Sequence, residues 1–128
     1  MIYLDTSVAL AHILAENKRP PDSLWHATLV ASRLLEYELW AQINGRRLAA
    51  SHGEAARALI GQIAILELAP PILARALEPF PIPVRTLDAL HLASIEFLRG
   101  QGQTVELASY DQRFITAARA QRIPIATL

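Results

Sequence analysis

Short β-type runs that alternate with helical stretches constrain this chain more than any other feature. Met1 to Leu4 is an apolar run containing an aromatic residue; Asp5-Thr6-Ser7 follows it, then the apolar-rich Val8 to Leu14, a strand, cap and helix in succession. Thr28-Leu29-Val30 repeats the pattern. Ser32 is placed to cap a helix that continues to about Ile43 and stops at Asn44-Gly45. Between the two units, Asn17 to Ser23, with Pro20-Pro21, reads as a loop.

Further along, Ser51-His52-Gly53-Glu54 has capping-box spacing and predicts a helix through about Ile63, which explains Glu54 as a capping residue. Pro70-Pro71 opens a short helix to about Glu78, and Phe80 to Val84 is too rich in proline for a regular helix. Thr86 suits the cap of a helix over Leu87 to Leu98 closed by Arg99-Gly100. Thr104 to Ala108 is β-type, Tyr110-Asp111 precedes a helix to about Gln121, and Ile123 to Thr127 reads as a closing strand. Strands alternating with helices imply one α/β domain over residues 1–128, three layers deep, with a central, mostly parallel sheet flanked by helices. In such sheets ligands collect outside the carboxyl ends of the strands, where Asp5 and Asp111 fall.

With 52% hydrophobic and 19% charged residues, the composition excludes disorder. The apolar runs are too short to span a bilayer and no signal peptide is evident, so a cytoplasmic location without membrane association is expected. Cysteine is absent, so any metal must be held by oxygen or imidazole. The net charge of zero encodes no general attraction to nucleic acid, although 11 of the 12 basic residues are Arg.

Glu38 is the acid that local structure does not explain. It lies about two turns into its helix, beyond the free amides, and shares a stripe with Leu34, Leu35 and Ala41, where an unpaired carboxylate costs several kcal/mol. An ion pair with Arg33 or Arg85 is the alternative to a functional role. Asp5 and Asp111 also suit helix caps, and Asp88 suits the first turn of its helix, where the dipole favours an acid. Asp88 nevertheless shares a face with Leu92 and Ile95 on a helix that is apolar almost all round. If the four carboxylates converge, they repel one another unless a cation neutralises them, and a hard divalent ion such as Mg²⁺ suits an all-oxygen set. Such a site is suited to hydrolysis of a phosphodiester. Thr6, Ser7 and Ser109 flank it, whereas His91, one turn from Asp88, reads as packing within the helix layer.

Neither a serine-nucleophile arrangement nor a Gly-rich phosphate loop is present. A haloacid-dehalogenase motif wants an Asp where Ser7 stands, and a receiver domain wants a late Lys where the only Lys is Lys18.

Ile2-Tyr3-Leu4-Asp5-Thr6-Ser7, Ser32-Arg33-Leu34-Leu35-Glu36-Tyr37-Glu38-Leu39, Arg85-Thr86-Leu87-Asp88-Ala89-Leu90-His91-Leu92-Ala93 and Ser109-Tyr110-Asp111 together resemble a PIN domain, specifically the stand-alone VapC toxins of toxin–antitoxin pairs. The resemblance spans essentially the whole chain, and its third segment is the most specific. It implies a Mg²⁺- or Mn²⁺-dependent endoribonuclease that cuts structured RNA such as tRNA or rRNA. Asp5 and Asp88 would be the principal metal ligands, with Glu38 and Asp111 completing the catalytic quartet. It also implies a homodimer silenced by a VapB-type antitoxin. The neutral charge departs from expectation for an RNA enzyme and leaves Arg33, Arg46, Arg47, Arg85 and Arg113 as the candidates for phosphate contacts. A catalytically silent module that binds protein or RNA is the competing reading, favoured by Trp25, Trp40 and the high apolar content.

Overall fold

The central strand of the sheet is the first one in the chain. β1 (Ile2–Leu4) pairs in parallel on one side with β2 (Leu29–Ser32) and on the other with β4 (Glu106–Ala108), and β3 (Ala64–Leu66) extends the sheet beyond β2. The order is therefore β3-β2-β1-β4, all parallel, in a computed structural model that describes residues 1–128.

Register sorts the strand side chains into two faces. Tyr3 lies level with Val30 and Leu107, and Leu4 lies level with Ala108. Because side chains alternate along a strand, Tyr3, Val30 and Leu107 enter one core and Leu4, Leu29, Ala31 and Ala108 enter the other. The first core is closed by Leu92, Ile95 and Leu98 of α5 (Thr86–Gly100) and by Phe114 and Ala118 of α6 (Gln112–Ala120). The second is closed by Val8 of α1 (Thr6–Ile13), by Leu35, Leu39 and Ile43 of α2 (Leu34–Gly45), and by Ala56 and Leu59 of α3 (Ala49–Gly61). Burial on both faces is why these strands are continuously apolar rather than alternating.

A short 3₁₀ turn, Asp22–His26, follows the Pro20-Pro21 loop, and α4 (Pro70–Ala76) starts with its two prolines in the first turn, where a missing amide costs nothing. No helix is long and apolar enough to cross a membrane.

Several boundaries differ from the sequence reading. α3 begins at Ala49, so Ser51 is inside the helix and donates to the Leu48 carbonyl instead of capping, which also leaves Glu54 exposed without a capping role. β3 was not anticipated. The closing strand Ile123–Thr127 reduces to a single parallel bridge between Leu107 and Ile125. At α5 the cap position is Arg85 rather than Thr86. The buried stripe of α2 runs through Leu35, Leu39 and Ile43, and Ala41 is exposed, so Glu38 sits beside the core rather than in it.

Candidate functional site

The carboxyl ends of β1 and β4 lie side by side, and a polar knot ties them together. Asp5 donates its backbone amide to the Ala108 carbonyl at 2.9 Å. Its side chain does not cap α1: Oδ2 instead accepts hydrogen bonds from Ser7 Oγ at 2.6 Å and Ser109 Oγ at 2.8 Å. Those hydroxyls in turn accept the backbone amides of Tyr110 and Asp111, at 2.9 and 3.0 Å. Thus Ser7 and Ser109 hold the aspartate by one oxygen and fix the start of the segment that leads to Asp111.

Asp111 does cap its helix. Oδ1 accepts from the amides of Arg113 and Phe114, and Oδ2 lies 3.4 Å from the Arg85 guanidinium. The same Arg85 nitrogen lies 3.4 Å from Asp88 Oδ2, so one cation bridges two of the acids. Asp88 is 9% exposed in the first turn of α5. Glu38, on α2, accepts from Thr6 Oγ1 at 3.2 Å and contacts His91 Nε2 at 2.6 Å, so its partner is neither Arg33 nor Arg85.

All four acids line one cleft of about 670 Å³, with Thr6, Ser7 and Arg85 also in its walls; Ser109 lies beneath Asp5. A larger hollow of about 800 Å³, mostly apolar, lies between α4, the proline-rich segment and α5, and it holds none of the four.

Electrostatics set Asp5 apart. Burial raises its pKa above the ordinary 3.8; the Ser7 and Ser109 hydroxyls and His91 pull it down, while Glu38 pushes it up. No arginine reaches it. His91 is 1% exposed, and burial alone would favour the neutral ring. Tyr3 on Nδ1 and Glu38 on Nε2 outweigh that and push its pKa up to about 10. His91 packs in the helix layer as expected, in edge-on contact with Tyr3, and also binds Glu38.

The donor set fits a hard divalent cation: carboxylate oxygens only, one of them buried and without a salt bridge. No group of three acidic or imidazole side chains is gathered tightly enough to hold an ion between them.

The candidate arginines scatter. Arg33 is engaged with Glu67 at 2.9 Å and with Glu36 at 3.1 Å. Arg47 is exposed at a left-handed turn position after α2, with φ of 58°. Arg46, 3.8 Å from Glu16, borders a hollow with Lys18 and Tyr110 that shares Ser7 and Leu10 with the acidic cleft. Arg113 lines a smaller hollow that shares Asp88. Only Arg85 is in the cleft itself.

A parallel α/β domain with its acids gathered at the carboxyl rim of the sheet has its candidate site where open α/β sheets bind ligands. More particularly, the chain belongs to the PIN domain family, whose model matches residues 2–120. Among solved structures, it is similar to a toxin–antitoxin complex from Klebsiella pneumoniae, at a TM-score of 0.71 and 13% identity over 99% of this chain and 97% of that one. It is also similar to VapC20 of Mycobacterium tuberculosis, a toxin that cleaves the sarcin–ricin loop, at a TM-score of 0.63 and 21% identity over 91% and 95% of the two chains. No curated protein matches.

Proposed function

We propose that this protein is a Mg²⁺- or Mn²⁺-dependent endoribonuclease of the VapC kind, the toxin of a toxin–antitoxin pair, acting on structured RNA. The observation that carries this reading is the gathering of Asp5, Glu38, Asp88 and Asp111 on one cleft, with Asp5 buried and in no salt bridge. Asp5 and Asp88, the two most buried acids, would hold the ion, with Glu38 and Asp111 bound to it through water. When bound, the ion supplies Lewis acidity toward a phosphodiester. The chain's own contributions are separate. Ser7 and Ser109 orient Asp5, Thr6 donates to Glu38, and the α6 amides orient Asp111. Glu38 or Asp111 is placed to accept a proton in the cleft. Arg85, whose guanidinium lies 3.4 Å from both Asp88 and Asp111 at the cleft, would contact a phosphate of the RNA.

The partners follow from the same reading: a VapB-type antitoxin over the cleft, and a second copy in a homodimer. The Klebsiella pneumoniae toxin–antitoxin complex supports the first.

The test uses purified protein freed of any antitoxin, incubated with total RNA and Mg²⁺ beside the Asp5→Asn and Glu38→Gln variants and an EDTA control. Discrete cleavage by the wild type that the variants and EDTA abolish is the expected result. Specific partner binding with no metal-dependent cleavage under any condition overturns the enzyme and favours a silent interaction module. Mapping the RNA ends after induced expression identifies the substrate.

A further inference from the structure

Tyr3 and His91 are buried polar side chains that the proposed chemistry does not itself require. They are 0% and 1% exposed, and they join the strand that leads to Asp5, the helix that carries Asp88 and the helix that carries Glu38. Tyr3 Oη accepts the backbone amide of Ser32 at 3.2 Å and lies 2.7 Å from His91 Nδ1. On its other side the ring places Nε2 at 2.6 Å from Glu38 Oε1. An ionised carboxylate only accepts, so Nε2 carries the hydrogen toward Glu38 whether or not Nδ1 also holds one. The ring cannot swing away, because Tyr3 meets it edge-on and Phe114 packs against it, each with centroids 5.8 Å distant.

Thr6 Oγ1 donates to the same Glu38 oxygen. Two protein donors therefore converge on Oε1, and Oε2 has no protein hydrogen bond. Asp5 shows the same asymmetry, with both serine hydroxyls on Oδ2. A carboxylate held by one oxygen presents the other in a fixed direction, which is how partners behind a ligand raise its affinity for an ion.

We infer that Tyr3 and His91 form a positioning pair for the cleft: anchored on the Ser32 amide, they hold Glu38 by Oε1 so that Oε2 is pre-set toward a hydrated divalent cation. This rests on the reading of the cleft as a metal-dependent nuclease site. Neither residue touches the reacting atoms.

The test measures Mn²⁺ binding to the purified full chain without RNA, by electron paramagnetic resonance of free Mn²⁺, alongside melting in EDTA and cleavage of total RNA. His91→Leu keeps bulk but loses the donor, and Mn²⁺ affinity is expected to fall roughly 10- to 100-fold. His91→Gln, whose amide can still donate to Glu38, is expected to recover most of that loss. Tyr3→Phe removes only the hydroxyl behind the ring and should show a smaller loss of the same kind. Wild-type Mn²⁺ affinity in a folded His91→Leu variant overturns the inference, as does a His91→Gln variant as weak as His91→Leu at equal melting temperature. Should His91→Leu not fold, Tyr3→Phe decides the matter, and an unchanged affinity there is equally fatal. If the wild type binds Mn²⁺ and cuts RNA while the variants match it, only the positioning role fails. A wild type that neither binds Mn²⁺ nor cuts RNA removes the nuclease reading and this inference together.

Discussion

Replacing Asp5 by Asn separates what this acid costs the fold from what it contributes to the cleft. Both hydroxyls that approach the side chain bind a single oxygen, Oδ2, so an amide oxygen in that place keeps both hydrogen bonds. What disappears is a buried charge. Burial raises the folded-state pKa above 3.8, so the folded chain holds the proton more tightly than the unfolded chain. The stability linked to this group is fully present below pH 3.8 and is lost as pH rises through the folded value. At pH 7.5 without metal the wild type therefore carries a penalty that the variant lacks. Relief of this kind at a functional site is worth roughly 0.5–2 kcal/mol. With an unfolding entropy of about 2.1 cal/mol/K per residue and a chain of 128 residues, the variant should melt about 2–7 °C higher in EDTA. Adding Mg²⁺ should raise the melting temperature of the wild type and leave the variant unchanged, because a ligand stabilises only the form that binds it. Lowering the pH toward 3.8 should close the gap between the two proteins in EDTA. Calorimetry over a pH series measures all three. A variant that melts lower than wild type in EDTA, or a gap that widens in acid, refutes the account of Asp5 as a charge whose burial outweighs its compensating contacts.

Arg85→Gln should tighten Mn²⁺ binding severalfold in the calorimeter, since the variant lacks the cation that bridges Asp88 and Asp111; unchanged or weaker binding would mean that Arg85 does not compete for the site. The same change should shift stability by less than about 1 kcal/mol, because the guanidinium is half exposed. Arg33→Ala should leave RNA cleavage at the wild-type rate, its side chain being engaged by Glu67 and Glu36, and a large loss of cleavage would restore it as a phosphate contact. Leu39→Ala, at a fully buried position in the α1–α2–α3 core, should cost about 2–5 kcal/mol in urea unfolding with an unchanged m-value. A cost below about 1 kcal/mol would mean that this core repacks freely.

The parallel sheet was legible because β1, β2 and β4 are buried on both faces and so read as apolar runs ahead of helices. β3 was not, because Ala64-Ile65-Leu66 is a three-residue edge strand, only partly buried, that follows within three residues of the end of α3 at Gly61. The capping-box spacing at Ser51 misled for a physical reason: α2 and α3 are joined so tightly that the helix has already begun at Ala49. Among the acids, Asp111 satisfies a cap and lines the cleft at once, so the two explanations offered by sequence were not exclusive. Glu38 was conspicuous by its position in mid-helix. Its partner was not, since His91 lies 53 residues away and its role depends on which face of β1 Tyr3 occupies. Recognising that Tyr3 and Leu4 must enter opposite cores would have directed attention to α5.

The place of β1 in the middle of the sheet has a consequence for the order of assembly during synthesis. The strand that emerges first acquires its second neighbour only after translation has passed Ala108, so the edge formed by those two strands is completed last. A nascent chain can dock β2 and α2 early, yet the rim is incomplete until Ser109 and Asp111 have been added.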